Sequence, residues 1–316
     1  MRKSQKVAFL LSGLGLALAG LTRADAKTER ILFEVPDMAL PFFAFMRDQA
    51  VGEAKKLNVE LIIGDGQGQS PKQSSDIRSA VNQGVAGVVV SPNDVNALVS
   101  VVNEVQRAGM PIVTVNRQVA GTDKAVPHVG ADNVSGGAAM AKWVISKFPS
   151  GAKIIFLRGE PGASLAIDRA KGFYDVIKPA GNKYKVLADQ TAYFHRDKGM
   201  TVTQNLLTSL ASPPDAIVSS NDEMAMGALE ALAQASIPKG KVIVVGYDAL
   251  PEALSKIRNG EIAATIEPSP GKQVRIALEE IVGYIRDKKP MKTTWIQPFA
   301  VEQSSLDQAE RINEAK

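Results

Sequence analysis

Side chains able to hydrogen-bond or stack gather where apolar runs of the sequence end: Pro36-Asp37 followed by Phe42-Phe43, then Asn116-Arg117, Asn221-Asp222 and Tyr247-Asp248. Polar groups at such strand ends can hydrogen-bond a ligand, and aromatic rings can offer it a flat surface. Each polar residue, taken singly, reads first as the cap of a following helix. Arg117 fits capping least, because a cation is unfavourable near a helix N-terminus. The rings pose the same choice. Phe42, Phe43 and Phe45 fall within "ALPFFAFM", residues 39–46, of a chain only 5% aromatic, and are either core packing or a flat surface for a ligand.

Covalent and metal chemistry find no support. "GDGQG" (64–68) is not G-x-G-x-x-G, and no P-loop Lys-Ser/Thr follows a glycine-rich stretch. The two histidines, His128 and His195, lie far apart in a chain without cysteine, so neither a zinc site nor a disulfide framework is expected. There is no G-x-S-x-G nucleophile, and Glu279-Glu280 reads as solvated helix surface. A binding protein without cofactor or metal, not an enzyme, is the expectation.

The elements that must position these residues alternate. Short apolar runs, "ILFEV" (31–35), "VELIIG" (59–64), "VAGVVV" (85–90), "PIVTV" (111–115), "KIIFL" (153–157), "DAIVSS" (215–220), "KVIVVG" (241–246) and "IAATI" (262–266), have the β-branched composition of strands covered on both faces. Amphipathic segments separate them. One begins at Ser70-Pro71-Lys72-Gln73, which reads as a capping box with proline in the first turn. Strand and helix in alternation predict a doubly wound α/β fold, repeated before and after about residue 131 as two similar lobes. In such sheets ligands bind at the carboxyl ends of strands, where the polar residues above stand.

The N-terminus bears on where the protein works. Arg2, Lys3 and Lys6 precede an apolar run from Val7 to Leu21 and the small residues Ala24-Asp25-Ala26, the layout of a signal peptide cleaved after Ala26. The run is shorter than the roughly 20 residues that span a bilayer. Its removal takes four cations and one anion and lowers the formal charge from +4 to +1. A nearly neutral mature chain offers no electrostatic reason to bind nucleic acid or an anionic membrane. Its length predicts roughly two domains.

Four stretches in this order, "PFFAFMRDQA", "TVNRQV", "GADNVSGG" and "SSNDEMAMGAL" with "VVGYDALPE", resemble the periplasmic sugar-binding proteins of the ribose-binding type. These are type I substrate receptors of ABC importers, and the resemblance spans the mature chain. It implies two Rossmann-like lobes, residues 27–131 with 270–296 and 132–268 with 297–316. Three crossings are implied near Ala131-Asp132-Asn133, Pro268-Ser269-Pro270 and Trp295-Ile296-Gln297. It implies that Phe42 and Phe43 sandwich a sugar, that Phe194 in "AYFHRDKG" supplies the opposite ring, and that Asn116, Arg117, Asn221 and Asp248 hydrogen-bond it. Partners would be a small neutral carbohydrate or polyol and an inner-membrane ABC permease, with a chemoreceptor as a further one. The protein would be a periplasmic monomer.

Departures from the pattern sharpen this expectation. Leu40 stands where an asparagine is frequent, Ile167 where an arginine follows a serine by three, and Pro268 where a glutamine follows "ATIE". If all three line the pocket, it has lost groups that would bind hydroxyls, and sites reject ligands that leave polar groups unpaired. Arg117 and Asp248 offset each other and favour a neutral ligand. These residues point away from ribose itself, toward a small polyol, pentose, furanose or deoxy sugar. A periplasmic signal receptor and a sugar-modifying enzyme remain as alternatives. A repressor effector domain would need an N-terminal DNA-binding unit where the export signal stands.

Overall fold

The computed structural model describes residues 28–315, so the expected signal peptide lies outside the described residues. The first stretch runs β1 (Arg30–Val35), α1 (Pro41–Leu57), β2 (Glu60–Asp65), α2 (Ser70–Asn82), β3 (Gly87–Val90), α3 (Val99–Arg107), β4 (Ile112–Val115), β5 (His128–Ala131). The second runs α4 (Asn133–Lys147), β6 (Ala152–Arg158), α5 (Ser164–Ile177), β7 (Tyr184–Thr191), α6 (Arg196–Ser209), β8 (Ala216–Ser219), α7 (Asp222–Gln234), β9 (Ile243–Val245), α8 (Pro251–Arg258), β10 (Ala264–Glu267). The chain then forms α9 (Pro270–Asp287), β11 (Thr294–Ile296) and β12 (Phe299–Glu302), ending in two short 3-10 turns, Gln303–Gln308 and Ile312–Glu314.

Two six-stranded sheets result, ordered β11-β5-β4-β3-β1-β2 and β12-β10-β9-β8-β6-β7. All pairings are parallel except β10 with β12. The chain passes from one sheet to the other between β5 and α4, between β10 and α9, and between β11 and β12.

Side-chain alternation explains how each sheet is covered twice. In β1, Ile31, Phe33 and Val35 enter the core beneath α1 and α9, whereas Leu32 enters the core beneath α2 and α3. Strands buried on both faces show no polar alternation, and every residue of β3 and β4 is buried. In the second lobe Phe156 stacks flat on Phe173 with centroids 4.5 Å apart, joining β6 to α5.

Four strands, β5, β7, β11 and β12, were not anticipated as apolar runs. β7 is an edge strand of partly exposed residues, and β11 and β12 have three and four residues, so none forms a long apolar stretch. The start of α2 also differs from expectation. Its cap is Gln69, no side chain caps it, and Gln73 instead turns inward, completely buried. There Gln73 donates to the Ser91 carbonyl and accepts from Asn93 N, tying α2 to the loop after β3.

Candidate functional site

A cleft opens between the carboxyl ends of the two sheets. From the first lobe come Leu40, Pro41, Phe42, Phe43, Asn116 and Arg117. The second lobe supplies Leu165, Arg169, Phe194, Asn221, Glu223, Asp248 and Leu250. All seven residues expected to bind ligand therefore line one cavity.

Phe42 and Phe43 start α1 directly after β1, where Pro41 fixes the first turn. Their rings meet edge to face with centroids 5.3 Å apart. Both are core residues and both also line the cleft, so packing does not remove them from it. Phe45 points elsewhere, beneath the Arg311 guanidinium at 4.2 Å from its ring centre.

Asn116 and Arg117 follow β4 through a tight turn in which Asn116 has φ of +63°. Positive φ is uncommon outside glycine, and asparagine tolerates it best. Arg117 is 3% exposed, and its guanidinium lies 5.4 Å from the Phe43 ring and 5.5 Å from the Phe194 ring. One cation thus touches the aromatic walls of both lobes. It donates to the Asn93 carbonyl at 3.2 Å, while its Nε and Asn116 Oδ1 are buried with no protein partner. Two unpartnered polar atoms in an apolar cleft are costly unless a ligand satisfies them. Burial lowers the Arg117 pKa to about 10, which leaves it cationic at neutral pH.

In the second lobe, Phe194 sits in the turn after β7 with φ of +64°. A Cβ on Gly159 would lie 1.9 Å from Phe194 Cζ, so only glycine admits the ring there. Asn221 caps α7 by accepting from Met224 N at 3.0 Å, and donates to the Phe194 carbonyl at 3.0 Å. The capping and ligand readings of Asn221 are joined, since the cap holds the aromatic wall in place. Asp222 faces away from the cleft's polar atoms, accepting from Leu250 N and Thr265 Oγ1 in the interior.

Asp248, at φ of +109° after β9, is 7% exposed. Burial raises its pKa from 3.8 to about 7, with Arg169 pulling the other way. Arg169 is the residue the sequence reading missed. It is 1% exposed on α5, stands 3.6 Å from the Asp248 carboxylate, and lies 3.4 Å above the centre of the Tyr247 ring. It donates to Asn133 Oδ1 at 2.9 Å and to the Ser220 carbonyl. Arginine is rarely buried unless paired, and no periodicity marks this one as internal.

Two expected pocket positions need correction. Ile167 is 51% exposed and does not line the cleft; its helix presents Leu165 and Arg169 there instead. Pro268 is buried outside the cleft and accepts from Gln273 Nε2 at 2.8 Å. Gln273, from α9, supplies an amide near the first-lobe wall and accepts from Asn116 Nδ2 at 3.4 Å. The cleft is therefore not stripped of three polar groups, and the deduction of a hydroxyl-poor ligand loses its basis. Leu40 does line the cleft. His128 is a core residue beside Thr114, its pKa lowered to about 4 by burial, and no metal-binding cluster occurs among the described residues.

The family model described as periplasmic binding protein domain matches residues 31–289. The chain is 37% identical to the ribose import binding protein RbsB of Escherichia coli over 84% of this chain and 88% of that one. It is 32% identical to the xylitol-binding protein of Mycolicibacterium smegmatis over 84% of this chain and 77% of the other. Among solved structures, the Caulobacter myo-inositol binding protein bound to myo-inositol superposes with a TM-score of 0.89 at 42% identity, covering 90% of this chain and 97% of that one.

Proposed function

The chain belongs to the periplasmic binding protein family, and from that premise we propose that it is the periplasmic solute-binding component of an ABC importer. Its ligand is a small neutral polyol with a ring, of the inositol class. The observation that carries this reading is the sandwich in the cleft: Phe43 and Phe194 come from opposite lobes, with the Arg117 guanidinium against both. A ring polyol presents C–H faces to such walls and hydroxyls around its rim.

The rim would meet donors and acceptors of both kinds. Asp248 accepts, Arg117 Nε donates, and Asn116 Oδ1 accepts, the last two being unpartnered within the protein. Asp248 stands against the Arg169 guanidinium and Glu223 also lines the cleft, so its two cations face two carboxylates without a charged ligand. The cyclitol in the Caulobacter relative supports a ring polyol, and the open-chain sugar alcohol named for the mycobacterial one supports a neutral polyol more broadly.

Binding without turnover is the mechanism. A ligand that touches both walls favours the closed arrangement by its differential affinity, and the closed protein then presents both lobes to a membrane permease. Export after Ala26 would place it in the periplasm.

Calorimetric titration with myo-inositol, xylitol, ribose and a hexuronate tests the assignment. Tightest binding is expected for myo-inositol. Preference for the acid, or no binding of any neutral polyol, overturns it.

A further inference from the structure

Leu40 occupies a position where its side chain does not cap its own helix. It is the N-cap of α1, with φ of −79° and ψ of 122°, and no side chain caps the helix. Asparagine, aspartate and serine stabilise such positions by about 1 kcal/mol relative to apolar residues, and leucine is among the poorest choices. A cap forgone at this position points to a requirement for an apolar side chain there.

That requirement is visible in the packing. Leu40 packs against the first-lobe core that contains Phe42, Phe43 and Met46. It also packs against the second-lobe core that contains Leu165, Phe194 and Leu250. Among the described residues it is the one apolar side chain packed against both lobes' cores. Hydrogen bonds also join loops of the two lobes: Val95 N donates to the Gly162 carbonyl at 2.8 Å, and Gln118 N donates to Ser164 Oγ at 2.8 Å.

We propose that Leu40 is a positioning residue for ligand capture, an apolar contact between the lobes that stabilises closure whatever polyol is bound. The contact exists only with the lobes together, so it adds to the closed state and not to the open one. Apparent affinity depends on the population of the binding-competent state. Leu40 therefore raises affinity by a common factor for every ligand, at the expense of a helix cap. The proposal rests on the polyol-binding reading for its affinity arm alone.

Leu40→Ser separates the two roles, because serine is a favourable N-cap too short to bridge the cleft. Unfolding stability of the unliganded variant is expected to change little, since the cap gained offsets the packing lost against the first-lobe core. Its affinity for myo-inositol and xylitol should fall by one shared factor, roughly tenfold. Leu40→Met, which conserves volume, should restore most of it. The second arm needs no ligand. The chain has no cysteine, so spin labels at Lys124→Cys and Lys198→Cys, one on each lobe, report lobe separation by pulsed electron resonance. The share of short distances in the unliganded protein should be lower in Leu40→Ser than in the parent. Equal distance distributions overturn the proposal, as does a loss of affinity confined to one ligand. If the parent binds no polyol at all, the assigned ligand class fails, and the distance comparison still decides the role of Leu40.

Discussion

Ligand affinity should rise with pH through neutrality, because the ionised Asp248 carboxylate accepts ligand hydroxyls more strongly than the protonated acid, whose O–H must also find an acceptor. Burial raises its pKa from 3.8 to about 7, and the Arg169 guanidinium, 3.6 Å away, only partly opposes this. At about pH 5.5 roughly 3% of unliganded molecules then carry the carboxylate, and at about pH 8.5 nearly all do. If ligand hydroxyls donate to the ionised form, apparent affinity is about thirtyfold weaker at the acid end, near 2 kcal/mol. Stability of the unliganded protein runs the other way. The unfolded carboxyl loses its proton near pH 4 and the folded one near pH 7, so the unfolded state binds fewer protons between them. This group's contribution to stability is full below about pH 4, falls as pH rises to about 7, and is level above. Asp222 and Glu267, also raised by burial, add to that same stability slope, so affinity is the cleaner reading. Calorimetric titration from about pH 5.5 to 8.5, on the parent and Asp248→Asn, measures it. Affinity constant within twofold across the range, or an unchanged slope in Asp248→Asn, would refute the reasoning.

Arg117→Ala should weaken polyol binding by on the order of 1–3 kcal/mol or more, through lost hydrogen bonds and the lost cation between two rings. Arg117→Lys should not restore it, since an ammonium reproduces neither the planar stacking nor the guanidinium geometry; full rescue measured by calorimetry would count against the sandwich. Gly159→Ala should displace the Phe194 ring and cost about tenfold or more in affinity. In a Phe194→Ala background the same change should add little, a coupling that a double-mutant cycle reads directly.

Much of the architecture was legible because it depends on local pattern. Apolar β-branched runs that end in polar residues identify buried parallel strands and mark where ligands bind, and eight of the strands were found that way. The four-residue β5, the edge strand β7 and the short β11 and β12 were not: β5 is too brief to stand out, and the others are half-buried and gain their place from sheet partners. Site residues at strand ends, Asn116, Arg117, Asn221 and Asp248, were legible for the same reason. Residues that reach the cleft from helices were harder to see. Ile167 and Arg169 lie two positions apart on α5, about 200° around the helix axis. The resemblance drew attention to the first, and packing turned the second inward.

The sequence by itself determined the alternating elements, the aromatic pair at the start of α1 and the polar residues at strand ends. All of these follow from residue type and spacing along one stretch of chain. Only the tertiary structure decided that Arg117 lies between rings of two lobes, that Arg169 stands beside Asp248, and that Leu40 joins two cores. Each of those is a meeting of segments remote in sequence, at the junction of lobes whose chain crosses three times. Burial, which raises Asp248 and leaves Asn116 Oδ1 and Arg117 Nε unpartnered, exists only once both walls enclose the cleft.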